Sequence, residues 1–384
     1  MGHAGMPSSV LALLRLALIA RARGQVPLAA GPPIVRRAST ARHASLASQP
    51  QLDGSADLEP PDSHRASVLG GAFVQASAGL HGRSRRGNES LGVELRIRHT
   101  IEGALQDGAC MFSFVPVPSR SGEFAGAYRA GHCSQVGDSV VAFRAAGLGA
   151  ATRPEAVQWL SRTSMERGED PRCFHWRGSP ACLTWTAVNG RFRLLLFENS
   201  SEPRVVELDP GFTGTVGGKN WVPVPAEDGG LYLVVALDPF KVLRYDGVRD
   251  GLGRLEWHHF DPRASAFEWR GGTPAAFFEA GGRRGYVGLG HHSVTTSEHK
   301  VMAYAFSPDL HSVELLRTGS FLLPSAREPR GIWDPLSIWR AGVQDGTGFP
   351  EFGAVVSYWD DVLHKSQRTH LVSFTVFPLE SKPA

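Results

Sequence analysis

Between residues 93 and 98, apolar Val93, Leu95 and Ile97 alternate with Glu94, Arg96 and Arg98. This is the two-residue period of a strand with one buried face. Similar segments then recur, each opening on a short polar or glycine-bearing signature and passing into an apolar or aromatic strand. The first runs through Phe124-Ala125-Gly126-Ala127-Tyr128-Arg129. The second starts at Asp170-Pro171-Arg172-Cys173-Phe174 and continues through Leu183 to Ala187. The third holds Asn220-Trp221-Val222-Pro223 and then Leu231 to Val235. The fourth holds Gly272 to Phe278 and Tyr286 to Leu289, and the fifth Asp334 to Trp339 and Gly353 to Tyr358. The openings lie roughly fifty residues apart, near the length of a four-stranded propeller blade. A blade cannot bury both faces alone. The pattern therefore predicts an all-β, five-bladed β-propeller over residues 92–379, with the strand at 93–98 completing the last blade and closing the ring. A β-sandwich offers short strands at a similar density, but it has no reason to return to a similar opening at each interval.

Composition agrees with many short strands and turns: 44 glycines and 26 prolines are spread along 384 residues, of which 42% are hydrophobic. Residues 1–52 differ, lacking any Asp or Glu while carrying Arg15, Arg21, Arg23, Arg36, Arg37 and Arg42. This composition marks a targeting leader, expected to be disordered or removed. Its apolar run from Val10 to Ala20 is interrupted by Arg15 and too short for a transmembrane helix. It fits an imperfect secretory signal, and the surrounding Ser, Ala and Arg mixture fits an organellar transit peptide. The expected location is the secretory pathway or the exterior, with an organelle as the alternative. Residues 53–91 read as a linker. The formal charge of +3 comes mainly from arginines before residue 100 and gives no reason to expect nucleic acid or an anionic membrane as partner. The four cysteines, Cys110, Cys133, Cys173 and Cys182, contain no Cys-x-x-Cys pair, which argues against a zinc ribbon and allows two disulfides. Asn88-Glu89-Ser90 and Asn199-Ser200-Ser201 are formal glycosylation acceptors that lean the same way as paired cysteines.

The strongest candidate chemistry lies at Gly168-Glu169-Asp170-Pro171-Arg172. Pro171 biases Asp170 towards extended backbone, and Arg172, two residues on, would then stand on the same strand face beside its carboxylate. Such a pair suits acid chemistry or the binding of an anionic or hydroxyl-rich substrate. Asp-Pro also recurs at Asp209, Asp238, Asp261 and Asp334, where it reads as a turn or the start of a strand. Trp221 and Trp333 open blades and are candidate sugar platforms among nine tryptophans. There is no phosphate loop, no His-Glu-x-x-His pair and no nucleophile elbow. No metal site is expected from such motifs.

The segment from Gly168 to Phe174 resembles the Gly-x-Glu-Asp-Pro-Arg-x-Phe signature of the β-mannoside phosphorylases and mannosidases of glycoside hydrolase family 130. Lys219-Asn220-Trp221-Val222-Pro223 is similar to that group's Lys-Asn-Trp segment. Arg270-Gly271-Gly272-Thr273-Pro274 with Gly290-His291-His292 is similar to a blade of its distant glycosyltransferase-like relatives. Val356-Ser357-Tyr358-Trp359-Asp360 is similar to the Tyr-Gly-x-x-Asp segment of its last blade. The resemblance covers about residues 106–379. It departs from the family at Cys173, at Trp359 in place of Gly, and in the first blade. It implies an oligosaccharide or glycan substrate, with Asp170 as proton donor acting through a sugar hydroxyl. Arg172, Asn220, Trp221, Asp334 and Asp360 would then bind substrate. Lys219, Arg270, His291 and Tyr304 would hold inorganic phosphate as a possible co-substrate, with no other cofactor. The alternative class is a non-catalytic propeller that binds glycans or proteins.

For the leader, terminal sequencing of protein from its native source is expected to find a start beyond Ala20, and an intact Met1 would contradict a removable targeting segment.

Overall fold

The computed structural model describes residues 90–103, 105, 109–131, 139–186, 191–198, 202–212, 219–263, 269–295, 298–316, 331–343, 348–359 and 367–379. Residues 1–89, Cys133, Asn199 and Asp360 lie outside them, so the leader, most of the linker, both glycosylation acceptors and one candidate sugar ligand carry no structural account.

The chain is an all-β propeller whose strands pair into five successive antiparallel units. The first strand, β1 (Leu91–Glu102), stands apart in sequence from the unit it completes. Unit I is β2 (Ala109–Pro116), β3 (Glu123–Ala130), β4 (Ser139–Ala146) and β5 (Gln158–Arg167). Unit II is β6 (Glu169–Trp176), β7 (Ser179–Thr186), β8 (Arg191–Leu196) and β9 (Arg204–Glu207). Unit III is β10 (Val222–Pro225), β11 (Leu231–Leu237), β12 (Phe240–Arg249) and β13 (Leu252–Phe260). Unit IV opens with two short pieces, β14 (Trp269–Arg270) and β15 (Ala276–Ala280), both on β16 (Arg283–Thr295), and continues to β17 (Glu298–Phe306) and β18 (Val313–Leu315). Unit V is β19 (Ile332–Val343), β20 (Pro350–Trp359) and β21 (Gln367–Pro378), with β1 supplying the outer strand. Among the described residues no helix is long and apolar enough to cross a membrane.

Burial follows a radial gradient. The inner strands β2 and β6 are buried almost throughout, on both faces, while the outer strands β9 and β18 are largely exposed and β13 is only partly covered. The apolar clusters show why. Phe112, Phe114 and Phe143 of unit I pack with Val355 and Leu371 of unit V, and Val115 and Val140 of unit I pack with Leu195 of unit II. Phe174 and Leu194 of unit II share a cluster with Trp221 and Leu233 of unit III. Val222 and Val242 of unit III meet Tyr286 and Tyr304 of unit IV, and Phe278 and Leu289 of unit IV meet Val356 and Phe374 of unit V. Each cluster is shared by neighbours and the sequence of neighbours returns to its start, so the units close a ring. Tight hairpins keep successive strands adjacent. Arg177-Gly178 and Asp250-Gly251 both have positive φ at two consecutive positions, the twist-compatible turn between antiparallel strands.

Near the centre, inner strands are joined by buried serines. Ser113 Oγ accepts the Cys173 backbone N–H at 2.8 Å and donates to the Leu336 carbonyl at 3.0 Å. Ser337 Oγ donates to the Phe114 carbonyl at 2.7 Å. A single parallel bridge between Ser337 and Cys173 joins β19 to β6. Cys173 is disulfide-bonded to Cys182, its cross-strand neighbour, and Cys110 is also disulfide-bonded.

The alternation read at residues 93–97 holds for Val93, which is buried, and Leu95, which is partly buried, but Ile97 is 43% exposed. The register between β1 and β21 slips between Ile97 and His99, and the strand returns to the core beyond the slip at Ile101, which is buried with unit I. Val93 belongs to the cluster between units IV and V, whereas Arg96 faces solvent. Val93→Ala is expected to cost about 2 kcal/mol through lost burial and a residual cavity. Arg96→Ala should stay within about 0.5 kcal/mol. Urea unfolding of the two variants side by side checks the difference.

Candidate functional site

The inner strands of units I, II and V contain irregularities near their first residues. Register slips fall between Cys110 and Ser113 in β2, Glu169 and Arg172 in β6, and Pro335 and Ser337 in β19. Asp170 has φ +47°, and Asn220, just before β10, has φ +70°. Bulges re-aim side chains, and non-glycine residues pay a conformational cost in the left-handed region. Pro171 was expected to hold Asp170 extended; the bulge overrides that bias and turns the residue out of the regular pleat. Asp and Asn tolerate this backbone better than most residues because short polar side chains bond locally.

Around that bulge a charged cluster is buried. Asp170 is 7% exposed and Glu169 4%. Lys219 Nζ lies 3.5 Å from Asp170 Oδ2 and 3.4 Å from Glu169 Oε2, and Arg129 Nη1 lies 3.5 Å from the same Glu169 oxygen. The expected Asp170–Arg172 pair does not form the contact. Arg172 instead donates from Nη2 to Asn220 Oδ1 at 3.2 Å, and its buried Nε and Nη1 have no hydrogen-bond partner among the described residues. A buried guanidinium with spare donors suits an anion or a hydroxyl-rich ligand.

A second polar group lies in units IV and V. His291 and Asp334 are buried, and His291 Nδ1 is 3.6 Å from Asp334 Oδ1. His299 Nδ1 is 3.1 Å from the same oxygen, and the two imidazoles stack with centroids 4.7 Å apart. Burial lowers the His291 pKa to about 4; Asp334 opposes this, while His299, Arg172 and Arg270 reinforce it. At Asp334 burial works upward, but His291, the hydrogen bond with His299 and the charge of Arg172 prevail and hold its carboxyl well below the usual range. These couplings bring Arg172 and Arg270 into the electrostatic neighbourhood of His291. Tyr304 is fully buried, and its hydroxyl donates to the Thr273 carbonyl at 3.0 Å. Burial raises its phenol far above the ordinary value, with Thr273 and Arg172 working against the shift. Its ring lies against Gly288, where an added Cβ would come within 2.6 Å of the hydroxyl oxygen.

A cavity of about 300 Å³ is lined by Lys219, Asn220, Arg270 and Gly271 together with the β11 segment 234–237 and Asp238. A larger one, about 610 Å³, is lined by Trp176, Arg177, Arg204, Arg244 and Tyr245 among others and contains none of the residues singled out in the sequence. The structure thus brings Asp170, Arg172, Lys219 and Asn220 together, with Arg270, His291 and Asp334 close by. Trp221 is not a platform. It is 1% exposed and stacked on Phe192 with centroids 3.7 Å apart, because its blade-opening position faces the interface of units II and III. Trp333 is likewise buried, against Tyr358 and His370. Tyr304, expected to hold phosphate, is fully buried in the apolar cluster of units III and IV and lines neither cavity. Two residues were missed. Arg129 lay within the first opening segment, and His299 is a diagonal cross-strand neighbour of His291, since Ser293 pairs with His299 and His291 with Val301.

Two buried histidines set a pH response. Burial, reinforced by Arg368, lowers His370 to about 4, as burial lowers His291. Both folded values lie below the unfolded one, so the unfolded state binds more protons as the pH falls through 6.5. Stability is therefore full above about 6.5 and is lost towards 4, with a limiting slope of about 1.4 kcal/mol per pH unit for each group. Asp334 adds a loss of the same sign below about 4, where the unfolded carboxyl protonates. Urea midpoints at pH 7 and pH 5 are expected to show the decline, and His370→Asn should flatten it.

No protein-family model matches the chain, and no curated protein matches it. Solved structures similar to it include an α-L-arabinofuranosidase from Lactobacillus brevis, at 10% identity and TM-score 0.41, covering 71% of this chain and 92% of that one. A thermostable family-43 glycoside hydrolase matches at 11% identity and TM-score 0.40, covering 69% and 88%. The parainfluenza virus 5 hemagglutinin-neuraminidase ectodomain matches at 6% identity and TM-score 0.35, covering 75% and 85%. The chemistry of the site therefore rests on its own residues.

Proposed function

We propose that this chain is a carbohydrate-active enzyme acting on β-mannosides or similar β-glycosides by phosphorolysis, glycosyl transfer or hydrolysis. The observation that carries the reading is the buried cluster in which Lys219 touches both Asp170 and Glu169 while Arg172 is held by Asn220, beside a cavity of about 300 Å³. The volume is at the lower end for ligand pockets and suits one or two sugar units rather than a polymer cleft. Resemblance to the family 130 signature supports the same assignment.

In this reading Asp170 gives its carboxyl proton, through a sugar hydroxyl, to the glycosidic oxygen as the anomeric C–O bond breaks. A phosphate oxygen, an acceptor hydroxyl or water forms the new bond at the anomeric carbon. Lys219, with Glu169 at its other side, positions the Asp170 carboxyl. Arg172 has two spare buried donors for a phosphate or for sugar hydroxyls, and Arg270 and His291 add positive or polar character to the same neighbourhood. Asn220 orients Arg172. Asp334 and Asp360 are assigned to sugar hydroxyls, with Asp334 held ionised by its surroundings and so a strong acceptor. The leader composition and the oxidised cysteines support a secretory destination for such an enzyme.

The test is Asp170→Asn in the full chain. Asn keeps the shape and tolerates the φ of +47°, so the melting temperature should be nearly unchanged. Turnover should fall at least about 100-fold, the lower range for losing a general acid. The assay follows phosphate release from mannose 1-phosphate with assorted acceptors, and sugar release from β-mannosides. Full turnover by the folded variant would overturn the role of Asp170. Glycan binding without turnover by the wild type would favour the binding propeller.

A further inference from the structure

We propose that His291, His299 and Asp334 form a binding site for a divalent transition ion of the zinc class. Each offers one ligand atom, and the three atoms lie within 4.8 Å of one another. Two of the separations are 3.1 and 3.6 Å, from Asp334 Oδ1 to the Nδ1 atoms of His299 and His291. Ligands about 2.0–2.1 Å from a tetrahedral ion stand about 3.3 Å apart, so the carboxylate already stands at nearly the required spacing from each imidazole. His291 Nδ1 supplies a second, independent observation: it is buried and has no hydrogen-bond partner among the described residues, although the carboxylate it faces lies only 3.6 Å away. An ion between them would give His291 Nδ1 the partner it lacks and would replace the hydrogen bond that Asp334 Oδ1 now shares with His299.

The fold makes this constellation rigid. His291 and His299 project from adjacent strands of one hairpin, and Asp334 is the third residue of the inner strand of the next unit. The ion would thus bridge two neighbouring units. His299 remains 15% exposed at its side chain, which gives a route for the ion, while His291 is 3% exposed.

Arg172 limits the choice of ion. Its positive charge reaches both His291 and Asp334. A hard ion held by charge, such as calcium or magnesium, would find one carboxylate opposed by a guanidinium and too few oxygen donors. An ion bound through nitrogen lone pairs depends less on net charge, and two imidazoles with one carboxylate is a donor set zinc accepts. Three protein ligands leave a fourth position for water or a substrate oxygen.

The experiment uses the full chain, stripped with a chelator and dialysed against zinc, with bound metal measured by elemental analysis. Cobalt serves as a spectroscopic probe. The expected result is one zinc per chain, a higher melting temperature with zinc than without, no comparable effect of calcium or magnesium, and a visible absorption band for tetrahedral cobalt. Removing a direct ligand should weaken binding by at least the 10–100-fold typical of outer-shell changes. His299→Ala is the first variant because His299 is partly exposed; its circular dichroism should match the wild type. Asp334→Asn is the second, and its loss of the cobalt band at an unchanged fold adds independent support. A folded wild type that binds no stoichiometric zinc overturns the proposal. So does zinc binding that survives in folded His299→Ala but disappears in His311→Ala, which would assign the metal to the surface group of His258, His259 and His311. These readouts do not depend on glycoside turnover, so this proposal and the assignment of Asp170 can fail separately.

Discussion

The apolar clusters between neighbouring units are the interaction on which the rest of the structure depends. A four-stranded unit presents two faces, and in this chain each face finds its partner on the next or the previous unit: Phe174 against Trp221, Val222 against Tyr304, Leu289 against Phe374. Each fully buried Leu, Val or Phe contributes about 1.5–3 kcal/mol through removal from water. That gain is available at every interface only if the last unit meets the first. Val355 and Leu371 of unit V make that contact with Phe112 and Phe114 of unit I, and β1 pairs with β21 along nearly its whole length. Closure is thus both a packing requirement and a backbone hydrogen-bonding one.

Closure also explains why polar and charged side chains can be buried near the centre. Inner strands converge, and their backbone groups are tied by Ser113 and Ser337 rather than by long ladders. Where a strand departs from the ladder it does so through a bulge, and the bulge at Asp170 is where the charged cluster begins. Arg129, Glu169, Lys219 and Asp170 neutralise one another in pairs. Arg172 is the exception, with one hydrogen bond and two unmatched donors in a buried setting. A structure maintains such a group against its desolvation cost only when neighbouring packing over-determines it.

The two polar groups have different characters. One is cationic and carboxylate-rich around β6, Lys219 and Asn220, open towards a cavity through Lys219, which is 43% exposed at its side chain. The other, on β16, β17 and β19, is built from two stacked imidazoles and a carboxylate and is more enclosed. Arg172 couples them electrostatically.

Much was legible without coordinates because it depends on local order. The alternation at 93–97 and the recurrent openings follow from strand periodicity, and they are enough to specify a repeated β-unit. Asp170, Lys219 and Asn220 could be singled out because each lies within a short motif. What residues far apart in sequence do to one another was not legible. Pro171 argued for an extended Asp170, yet register with β7 imposed a bulge and a φ of +47°. Arg172 was expected beside Asp170, but its fork is held by Asn220 from the next unit. Trp221 had the position of a platform and became a core side chain because an inter-unit face needed its area. His299 carried no motif at all, and only the pairing of β16 with β17 and the arrival of β19 set it beside His291 and Asp334. Sequence by itself determined which segments are strands and which residues could carry charge. Tertiary structure decided which of those charges meet, because ring closure and strand register, not proximity along the chain, set the distances between them.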